Sequence, residues 1–282
     1  MLNKLQTHHL IFIMLDGLKY STAVQQMGYM HHLVEHGLAA RFKVKSELPS
    51  LSRPLYEVLL TGTPVYRHGI TTNHSVRLSH EQSLFHLTRQ HGLTNATAAY
   101  HWVSELYNKA PFNPMTDRYQ WNTDLPIQNG IFYWEDHYPD SHLFADAGHL
   151  LQTAKPDFLY VHTMNIDDEG HKHSGNSAAY RNRAIAADML LAYALPYWTS
   201  LGYQIIVTAD HGMNDDGMHN GTTDDERDVP LYVISNKVQP GVYEDVVSQL
   251  QIAPLACHLL NIRASNAMLP LTILQAEPVP SV

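Results

Sequence analysis

Three apolar stretches of this 282-residue sequence run directly into side chains that could bind metal ions. The residues that follow them are Asp16 after the first stretch, Asp167 and His171 after the second, and Asp210, His211 and His219 after the third. Aspartate and histidine together suit borderline divalent ions such as Zn²⁺ or Mn²⁺. Because ligand sites in open α/β sheets lie outside the carboxyl ends of the strands, we expect these residues to converge there.

Each of these features has a structural explanation when it is considered alone. Asp16 begins what would be an ordinary turn, Asp167 with Asp168 and Glu169 fits a solvated acidic loop, and a single histidine such as His219 is more often a surface residue. The metal-site hypothesis depends on the coincidence that three separate predicted strands carry the same feature.

Two serines precede a predicted helix in the segment ELPSLSRPLYEVLLTG. The helix is predicted over residues 53–61, with Ser52 at the N-cap position and Pro54 in the first turn. Backbone N–H groups and the positive end of the helix dipole make such a terminus a good phosphate or sulfate site. The residues alone leave open whether Ser52 is a plain capping residue or a nucleophile.

Predicted strands alternate with predicted helices along the chain. The strands are predicted at 9–15, 95–102, 157–164, 204–210 and 229–235, with an exposed strand beginning at 40; the helices are predicted at 22–37, 53–61, 142–154, 177–200 and 244–261. This alternation is typical of an α/β fold with a doubly wound, mostly parallel central sheet and helices on both faces. We expect residues 1–282 to form a single domain, with 103–141 passing over the active-site edge.

Composition limits the classes of function. The net charge of −9 argues against non-specific nucleic-acid binding, and the lone Cys257 excludes a disulfide framework and suits a small core residue. The apolar run near the N-terminus is too short for a secretion signal, and no stretch approaches the roughly 18 apolar residues of a membrane helix. We therefore expect a cytoplasmic protein that does not insert into membranes; the sequence carries no signal for its oligomeric state.

Four segments resemble, in order, the motifs of the alkaline phosphatase superfamily, most closely its type I phosphodiesterase/nucleotide pyrophosphatase branch. They are IMLDG, PSLSRPLYEVLLTG with HGITTN, NIDDEGHKHSG and TADHGMNDDGMHNG, and they span residues 11–235. The resemblance implies the superfamily's fold and a site with two divalent metal ions, with zinc favoured and manganese as the alternative.

The resemblance also implies a role for each matching residue. Ser52 would be the nucleophile, because the family nucleophile lies nine residues before the Thr of a TG pair, here Thr61. One metal would be held by Asp16, Ser52, Asp210 and His211, and the second by Asp167, His171 and His219. Asn73 of HGITTN would contact a phosphate oxygen. Arg53 replaces an aromatic residue frequent in nucleotide-cleaving members and would offer a charged fork to anionic oxygens.

The activity implied is hydrolysis of a small-molecule phosphate ester, of the phosphodiesterase or nucleotide pyrophosphatase type, through a phospho-serine intermediate. The alternatives are a phosphomonoesterase, a sulfatase, an ethanolamine-phosphate transferase of the kind that modifies glycolipid anchors, and a non-catalytic metal or headgroup binding protein. The spacing in TADHGMNDDGMHNG is particularly similar to the transferases, whereas Ser52-Arg-Pro-Leu-Tyr does not fit the sulfatase pattern. His173 is expected to lie beside the ligands or in solvent. Solvated acidic loops are expected to contain Asp168, Glu169, Asp215, Asp216, Asp224 and Asp225.

Overall fold

The computed structural model describes residues 8–279, and these form one nine-stranded sheet in the order β4-β5-β3-β6-β1-β7-β8-β2-β9. The strands are β1 (Leu10–Leu15), β2 (Ala40–Lys45), β3 (Asn95–Tyr100), β4 (Tyr119–Trp121), β5 (Asn129–Tyr133), β6 (Phe158–Thr163), β7 (Gln204–Thr208), β8 (Asp228–Ile234) and β9 (Gly241–Ser248). All of them except β4 and β8 point the same way. The predicted α/β fold with a mostly parallel sheet is confirmed.

Helices cover both faces of this sheet. They are α1 (Tyr20–Gln26), α2 (Gly28–Glu35), α3 (Ser52–Thr61), α4 (Val65–His68), α5 (Leu84–Gln90), α6 (Trp102–Tyr107), α7 (Pro114–Asp117), α8 (Asp140–Thr153), α9 (Asn165–His173), α10 (Ala178–Ser200), α11 (Asp224–Arg227) and α12 (Ile252–Leu260). One group packs around α10 and another around α12, so the inner strands β1, β6 and β7 are buried along their whole length. Burial on both faces explains their continuous apolar sequences.

The register of the three inner strands determines where the site forms. β1 pairs in parallel with β6 on one side and with β7 on the other, so that Leu15 lies opposite Thr163 and Met14 lies opposite Thr208. The three strands therefore end at nearly the same level. Residues that follow them, including Asp16 and Asp210, emerge side by side at one edge of the sheet.

Two predicted helices differ from the structure. The helix predicted over 22–37 is interrupted at Met27, and the buried carboxylate of Asp188 accepts the N–H groups of Tyr29 and Met30 at 2.7 and 3.1 Å, which stabilises a new helix start. The helix predicted over 244–261 begins only at Ile252. Residues 241–248 instead form β9, in which Tyr243 and Val247 are buried between exposed residues.

Three further expectations can be compared with the fold. The strand expected to be exposed, β2, lies between β8 and β9, with alternate residues buried. Residues 103–141 do not only cross over the sheet, since β4 and β5 extend it. Cys257 is buried in α12, which confirms its prediction as a core residue. Within residues 8–279, no helix combines the length and apolar character that crossing a membrane requires.

Candidate active site

Asp16 directly follows β1 and is fully buried at the carboxyl edge of the sheet. Its Oδ2 atom accepts a hydrogen bond from the Tyr56 hydroxyl of α3 and lies 3.0 Å from His162 Nε2 of β6. Burial lowers the pKa of His162 to about 3, so the ring is neutral and its Nε2 is assigned as the donor. Two neutral donors thus bind Oδ2, while Oδ1 has no hydrogen-bond partner within residues 8–279.

Asp210 and His211 follow β7, on the other side of β1. Asp210 Oδ1 accepts the backbone N–H of Gly17 at 3.2 Å, and Oδ2 lies 3.2 Å from His211 Nε2. The same nitrogen lies 3.6 Å from Asp16 Oδ1. One ligand atom from each of Asp16, Asp210 and His211 falls within 4.8 Å of the others, and we call these residues the inner group.

The outer group consists of Asp167, His171 and His219, whose ligand atoms also lie within 4.8 Å of one another. Asp167 is in the first turn of α9, His171 is one turn further, and His219 is in the loop after β7. His171 Nε2 lies 3.3 Å from Asp167 Oδ2 and 3.1 Å from His219 Nε2. His171 Nδ1 binds the backbone carbonyl of Gly217 at 2.8 Å, and His219 Nδ1 binds that of Ser50 at 2.7 Å. These hydrogen bonds turn the two Nε2 atoms toward each other.

The inner and outer groups adjoin. The ring of His211 stacks on that of His219 with centroids 3.6 Å apart and an interplanar angle of 12°. Gly17 has a positive φ of 73°, and a Cβ atom there would lie only 2.8 Å from Cβ of Asp167. Glycine is therefore required at this position both for the turn and for the close approach of the two groups.

The donor set fits two divalent cations. Within residues 8–279, no lysine or arginine forms an ion pair with Asp16, Asp167 or Asp210. Burial raises the pKa values of Asp16 and Asp210 well above the usual range of a carboxyl group. The charges of neighbouring carboxylates raise these pKa values further. Each of the three carboxylates also keeps one buried oxygen without a hydrogen-bond partner. Cations would bind these oxygens and offset the repulsion among the carboxylates.

Ser52 lies at the inner group, with its Oγ atom 3.0 Å from His211 Nε2. It is the first residue of α3, so the predicted N-cap position is wrong by one residue and belongs to Leu51. Ser50 has a different place, because its hydroxyl donates to the Gly221 carbonyl at 2.9 Å and its own carbonyl binds His219. Of the two serines in the motif, Ser52 is therefore the one whose hydroxyl faces the inner group.

Asn73 and Arg53 are coupled through the backbone. Asn73 Oδ1 accepts the Arg53 N–H at 3.0 Å, so this N–H is not available to a phosphate, and the amide nitrogen of Asn73 is the group left to contact one. The Arg53 guanidinium is buried, where it donates to Glu105 Oε2 at 2.7 Å and to the Ser75 carbonyl at 3.1 Å, and lies over the Trp102 ring. These contacts do not support direct binding of substrate by the Arg53 side chain, which stays a prediction.

Several charged residues expected in solvent also form ion pairs. Asp225 pairs at 2.8 Å with the buried Lys19 and thereby ties the loop around α11 to the segment after β1. The other pairs are Asp224 with Lys45, Asp168 with Lys172, and Glu169 with Arg183 and His173. Asp215 and Asp216 are exposed, as predicted. The sequence interpretation missed Lys19, Tyr56 and His162; of these, only His162 carried a signal, as a polar side chain inside a continuous apolar strand.

Comparison with known proteins agrees with this arrangement. The family match places the chain in the alkaline phosphatase superfamily, a class of enzyme-like phosphoesterases whose members use two divalent metals. Residues 10–231 match the family model described as type I phosphodiesterase/nucleotide pyrophosphatase, and the chain belongs to this family. The family predicted from the four motifs is confirmed.

The curated relatives are larger proteins. GPI ethanolamine phosphate transferase 2 of Candida albicans is 25% identical over 251 residues, which cover 83% of this chain and 27% of the relative. The catalytic subunit of human GPI ethanolamine phosphate transferase 2 is 23% identical over 238 residues, covering 80% of this chain and 23% of the relative. The chain thus spans about a quarter of the length of these relatives.

Solved structures share the fold at low sequence identity. Murine ectonucleotide pyrophosphatase/phosphodiesterase 5 superposes with a TM-score of 0.72 and 12% identity, covering 94% of this chain and 97% of its own. A putative sulfatase from Bacteroides fragilis gives a TM-score of 0.63 and 14% identity, covering 89% of this chain and 74% of its own. At these identities the likeness concerns the fold alone.

Proposed function

We propose that this chain is a metal-dependent enzyme that cleaves a small-molecule phosphodiester by attack of Ser52 on phosphorus. The observation that carries the proposal is the position of the Ser52 hydroxyl, 3.0 Å from His211 Nε2 and beside two groups of ligands with unsatisfied carboxylate oxygens. A binding protein that performs no chemistry would have no need of a hydroxyl at this point.

The inner group with Ser52 would hold one cation and the outer group the second, with zinc favoured and manganese as the alternative. Bound divalent cations would make a serine hydroxyl or a water more acidic and would neutralise phosphate oxygens. The protein's own contribution is orientation. The His171 and His219 rings are fixed by backbone carbonyls, and Asp16 is fixed by two neutral donors.

Two displacements at phosphorus would complete the reaction. Ser52 Oγ loses its proton and forms a bond to phosphorus while the bond to the leaving-group oxygen breaks, and that oxygen departs with a proton. The amide nitrogen of Asn73 would bind a non-bridging oxygen of the phosphate, since the Asn73 side-chain carbonyl already accepts the Arg53 N–H. An incoming hydroxyl then attacks the phosphorus of the phospho-serine, the bond between Ser52 Oγ and phosphorus breaks, and Ser52 Oγ takes up the proton that the incoming hydroxyl loses.

The identity of the incoming hydroxyl separates the two functions under consideration. Water gives hydrolysis, whereas an alcohol gives transfer of the phosphoryl group and its organic substituent. The transferase alternative is favoured by the names of the curated relatives and by the spacing in TADHGMNDDGMHNG. We infer a phosphodiester substrate in either case and treat transfer of an ethanolamine phosphate group as the second candidate.

The first experiment tests Ser52. Wild type, Ser52→Ala and Ser52→Thr are compared on bis-p-nitrophenyl phosphate, p-nitrophenyl phosphate and p-nitrophenyl sulfate with Zn²⁺ or Mn²⁺. Ser52→Ala should lose at least about 1000-fold in turnover, since attack on phosphorus needs the hydroxyl, whereas Ser52→Thr should retain turnover. A peptide that carries a phosphoryl group on Ser52, with the second p-nitrophenyl ester still attached when the diester is the substrate, should appear by mass spectrometry after acid quenching. Undiminished turnover in Ser52→Ala would remove this residue from its role, and a clear preference for the sulfate would favour a sulfatase.

A second experiment separates hydrolysis from transfer. With bis-p-nitrophenyl phosphate as the substrate, the release of p-nitrophenol is compared with the formation of free p-nitrophenyl phosphate. The concentration of an alcohol acceptor such as glycerol is increased from one reaction to the next. A transferase should divert product to the alcohol adduct in proportion to acceptor concentration. A hydrolase should form the same free product at every acceptor concentration.

A further inference from the structure

The outward face of α10 carries a row of exposed, mainly apolar side chains. They occupy every fourth position of the helix and its C-cap, namely Ile185, Met189, Tyr193, Tyr197 and Leu201. Side chains four positions apart form a continuous ridge on the surface of a helix, and we call this row the α10 ridge. Single exposed apolar residues are common on proteins, whereas a contiguous row of them indicates a surface that another molecule covers.

A groove of about 680 Å³ lies beside this ridge, between α8 and α10, and Tyr193 stands at its border. The α8 side of the groove is open because it carries the small residues Ala145 and Gly148. A Cβ atom added at Gly148 would meet no neighbour within 4 Å. Phe144 of α8 and Trp198 of α10 also line the groove, and their rings stack with centroids 5.6 Å apart. The groove is thus an open slot with aromatic walls.

The ridge and the groove, both within residues 8–279, carry no Asp, Glu, Lys or Arg. From residue 184 to residue 200 the single charged side chain of α10 is Asp188, which is buried and accepts two backbone N–H groups of α2. The chain as a whole has a net charge of −9, so two copies repel each other unless they meet through an uncharged face. A partner recognised by its charge would find no complement on this surface.

The ridge and the groove complement each other in shape. Tyr193 is 88% exposed and projects from α10, while the groove beside it has room for an aromatic ring. In a dimer with two-fold symmetry each copy offers the same patch, so the patch must contain both halves of the contact. A projecting ring next to an open groove meets this requirement, whereas a different partner would need one half alone.

The area of this face is sufficient for a dimer. Met189 and Tyr197, on either side of Tyr193 in the ridge, are 68% and 50% exposed. With the walls of the groove, these side chains offer roughly 600 Å² per copy. Two copies would then bury about 1,200 Å², which is at the lower end of the range for stable, specific complexes. The area therefore predicts a dimer of moderate affinity.

We propose that the α10 ridge and the groove between α8 and α10 form the interface of a homodimer, in which Tyr193 of each copy enters the groove of the other. The contact is isologous, so the ring and the groove are each used twice. This inference concerns assembly and does not depend on the chemistry proposed for Ser52.

Sedimentation equilibrium of the full chain at about 1 to 100 µM tests the proposal. Wild type should approach the mass of two chains, with a Kd on the order of 10 µM. Tyr193→Asp places a charge in the apolar groove and should raise the Kd at least about 30-fold. Tyr66→Asp is the matched control, because Tyr66 of α4 is also 88% exposed but lies outside the ridge, and it should dimerise like wild type.

A complementation experiment tests the pairing of ring and groove. Tyr193→Ala removes the ring, and Gly148→Leu fills the groove, so each variant alone should dimerise at least about tenfold more weakly than wild type. An equimolar mixture of the two should dimerise better than either variant alone. In the mixed dimer, Tyr193 of the Gly148→Leu copy enters an open groove, and the other groove is filled by the leucine instead of a ring.

Two results would overturn the proposal. One is a wild-type chain that stays monomeric at about 100 µM; if this monomer bound neutral phosphatidylcholine vesicles and Tyr193→Asp abolished that binding, the face would belong to a membrane contact instead. The other is a dimer that both Tyr193→Asp and Gly148→Leu leave intact, which would place the interface elsewhere. Circular dichroism of each variant establishes that it is folded, and a mixture that dimerises no better than its components would contradict the isologous contact.

Discussion

The inner and outer groups contain the same kinds of side chain but differ in burial. Asp16, Asp210 and His211 of the inner group are completely buried, whereas the His171 side chain of the outer group is 38% exposed. Asp16 and Asp210 follow interior strands paired in register, while the outer group is assembled from a nine-residue helix and a loop. The inner group is thus held by the sheet, and the outer group by α9 and its contacts to backbone carbonyls.

This difference has a consequence for metal binding. A rigid, fully desolvated donor set costs little to organise when a cation arrives, and water competes poorly for the ion. A half-exposed histidine leaves a path by which ligands and water can reach the ion. We therefore expect the inner group to bind its cation more tightly and the outer group to exchange its cation more readily.

The largest effect is expected from Asp210→Asn. The substitution keeps the size of the side chain but removes the charge from an oxygen that has no hydrogen-bond partner within residues 8–279. We expect turnover to fall by about 1000-fold or more and the bound metal to fall from two ions to one. Atomic emission after gel filtration measures the stoichiometry. Two bound ions with unchanged turnover would show that the inner group does not hold a metal.

A smaller and reversible effect is expected from His171→Ala. Because this side chain is half-exposed and sits at the rim, its removal opens space for an exogenous ligand. Turnover should fall by about 10- to 100-fold and recover in part when imidazole or excess Zn²⁺ is added. His173→Ala, an exposed histidine on the same helix, is the control and should behave like wild type. Irreversible loss in His171→Ala would contradict the contrast between the two groups.

The hydrogen bonds to Asp16 test why the inner group is rigid. Tyr56→Phe removes one of the two donors to Oδ2, and His162→Gln retains an N–H donor where His162→Ala does not. Tyr56→Phe and His162→Ala should weaken metal binding by about tenfold, with kcat restored at saturating metal, and His162→Gln should weaken it less. Competition with a fluorescent chelator measures the affinity. Unchanged affinity in both Tyr56→Phe and His162→Ala would assign these residues to packing alone.

The sequence predicted well which strands and side chains meet at the sheet edge, because β1, β6 and β7 are continuous apolar runs and parallel strands end at one edge. It failed where long-range pairing decides the structure. The ion pair of Lys19 with Asp225 joins residues 206 positions apart, and neither sequence neighbourhood indicates it. Residues 244–248 of β9 fall in the helix predicted over 244–261, because their apolar residues fit either period and only the pairing of β9 with β2 distinguishes the two. Nothing in the sequence near Arg53 indicates its bond to Glu105 either, whereas its contact with a phosphate stays a prediction.

The smallest effect is expected from a buried carboxylate outside both groups. Glu57 lies on α3 one residue after Tyr56, but its Oε1 accepts the Ser79 hydroxyl and its Oε2 accepts the Tyr107 hydroxyl at 2.6 Å. Both oxygens therefore have partners, whereas Asp16 and Asp210 each keep one oxygen without a hydrogen-bond partner in the described part of the chain. If unsatisfied oxygens rather than burial mark the metal ligands, Glu57→Gln should leave the metal content and kcat unchanged.

The same variant should change the pH dependence of stability. Burial raises the pKa of Glu57 from 4.5 to about 7, so between these values the folded protein keeps a proton that the unfolded chain releases. The contribution of Glu57 to stability is therefore fully present below pH 4.5 and is lost as pH rises toward 7. Glutamine mimics the protonated form, so Glu57→Gln should gain stability relative to wild type from pH 5 to pH 8, by up to about 3 kcal/mol in urea unfolding. Glu244→Gln removes an exposed carboxylate and controls for the loss of charge. A stability difference between Glu57→Gln and wild type that does not vary with pH would contradict the raised pKa of Glu57.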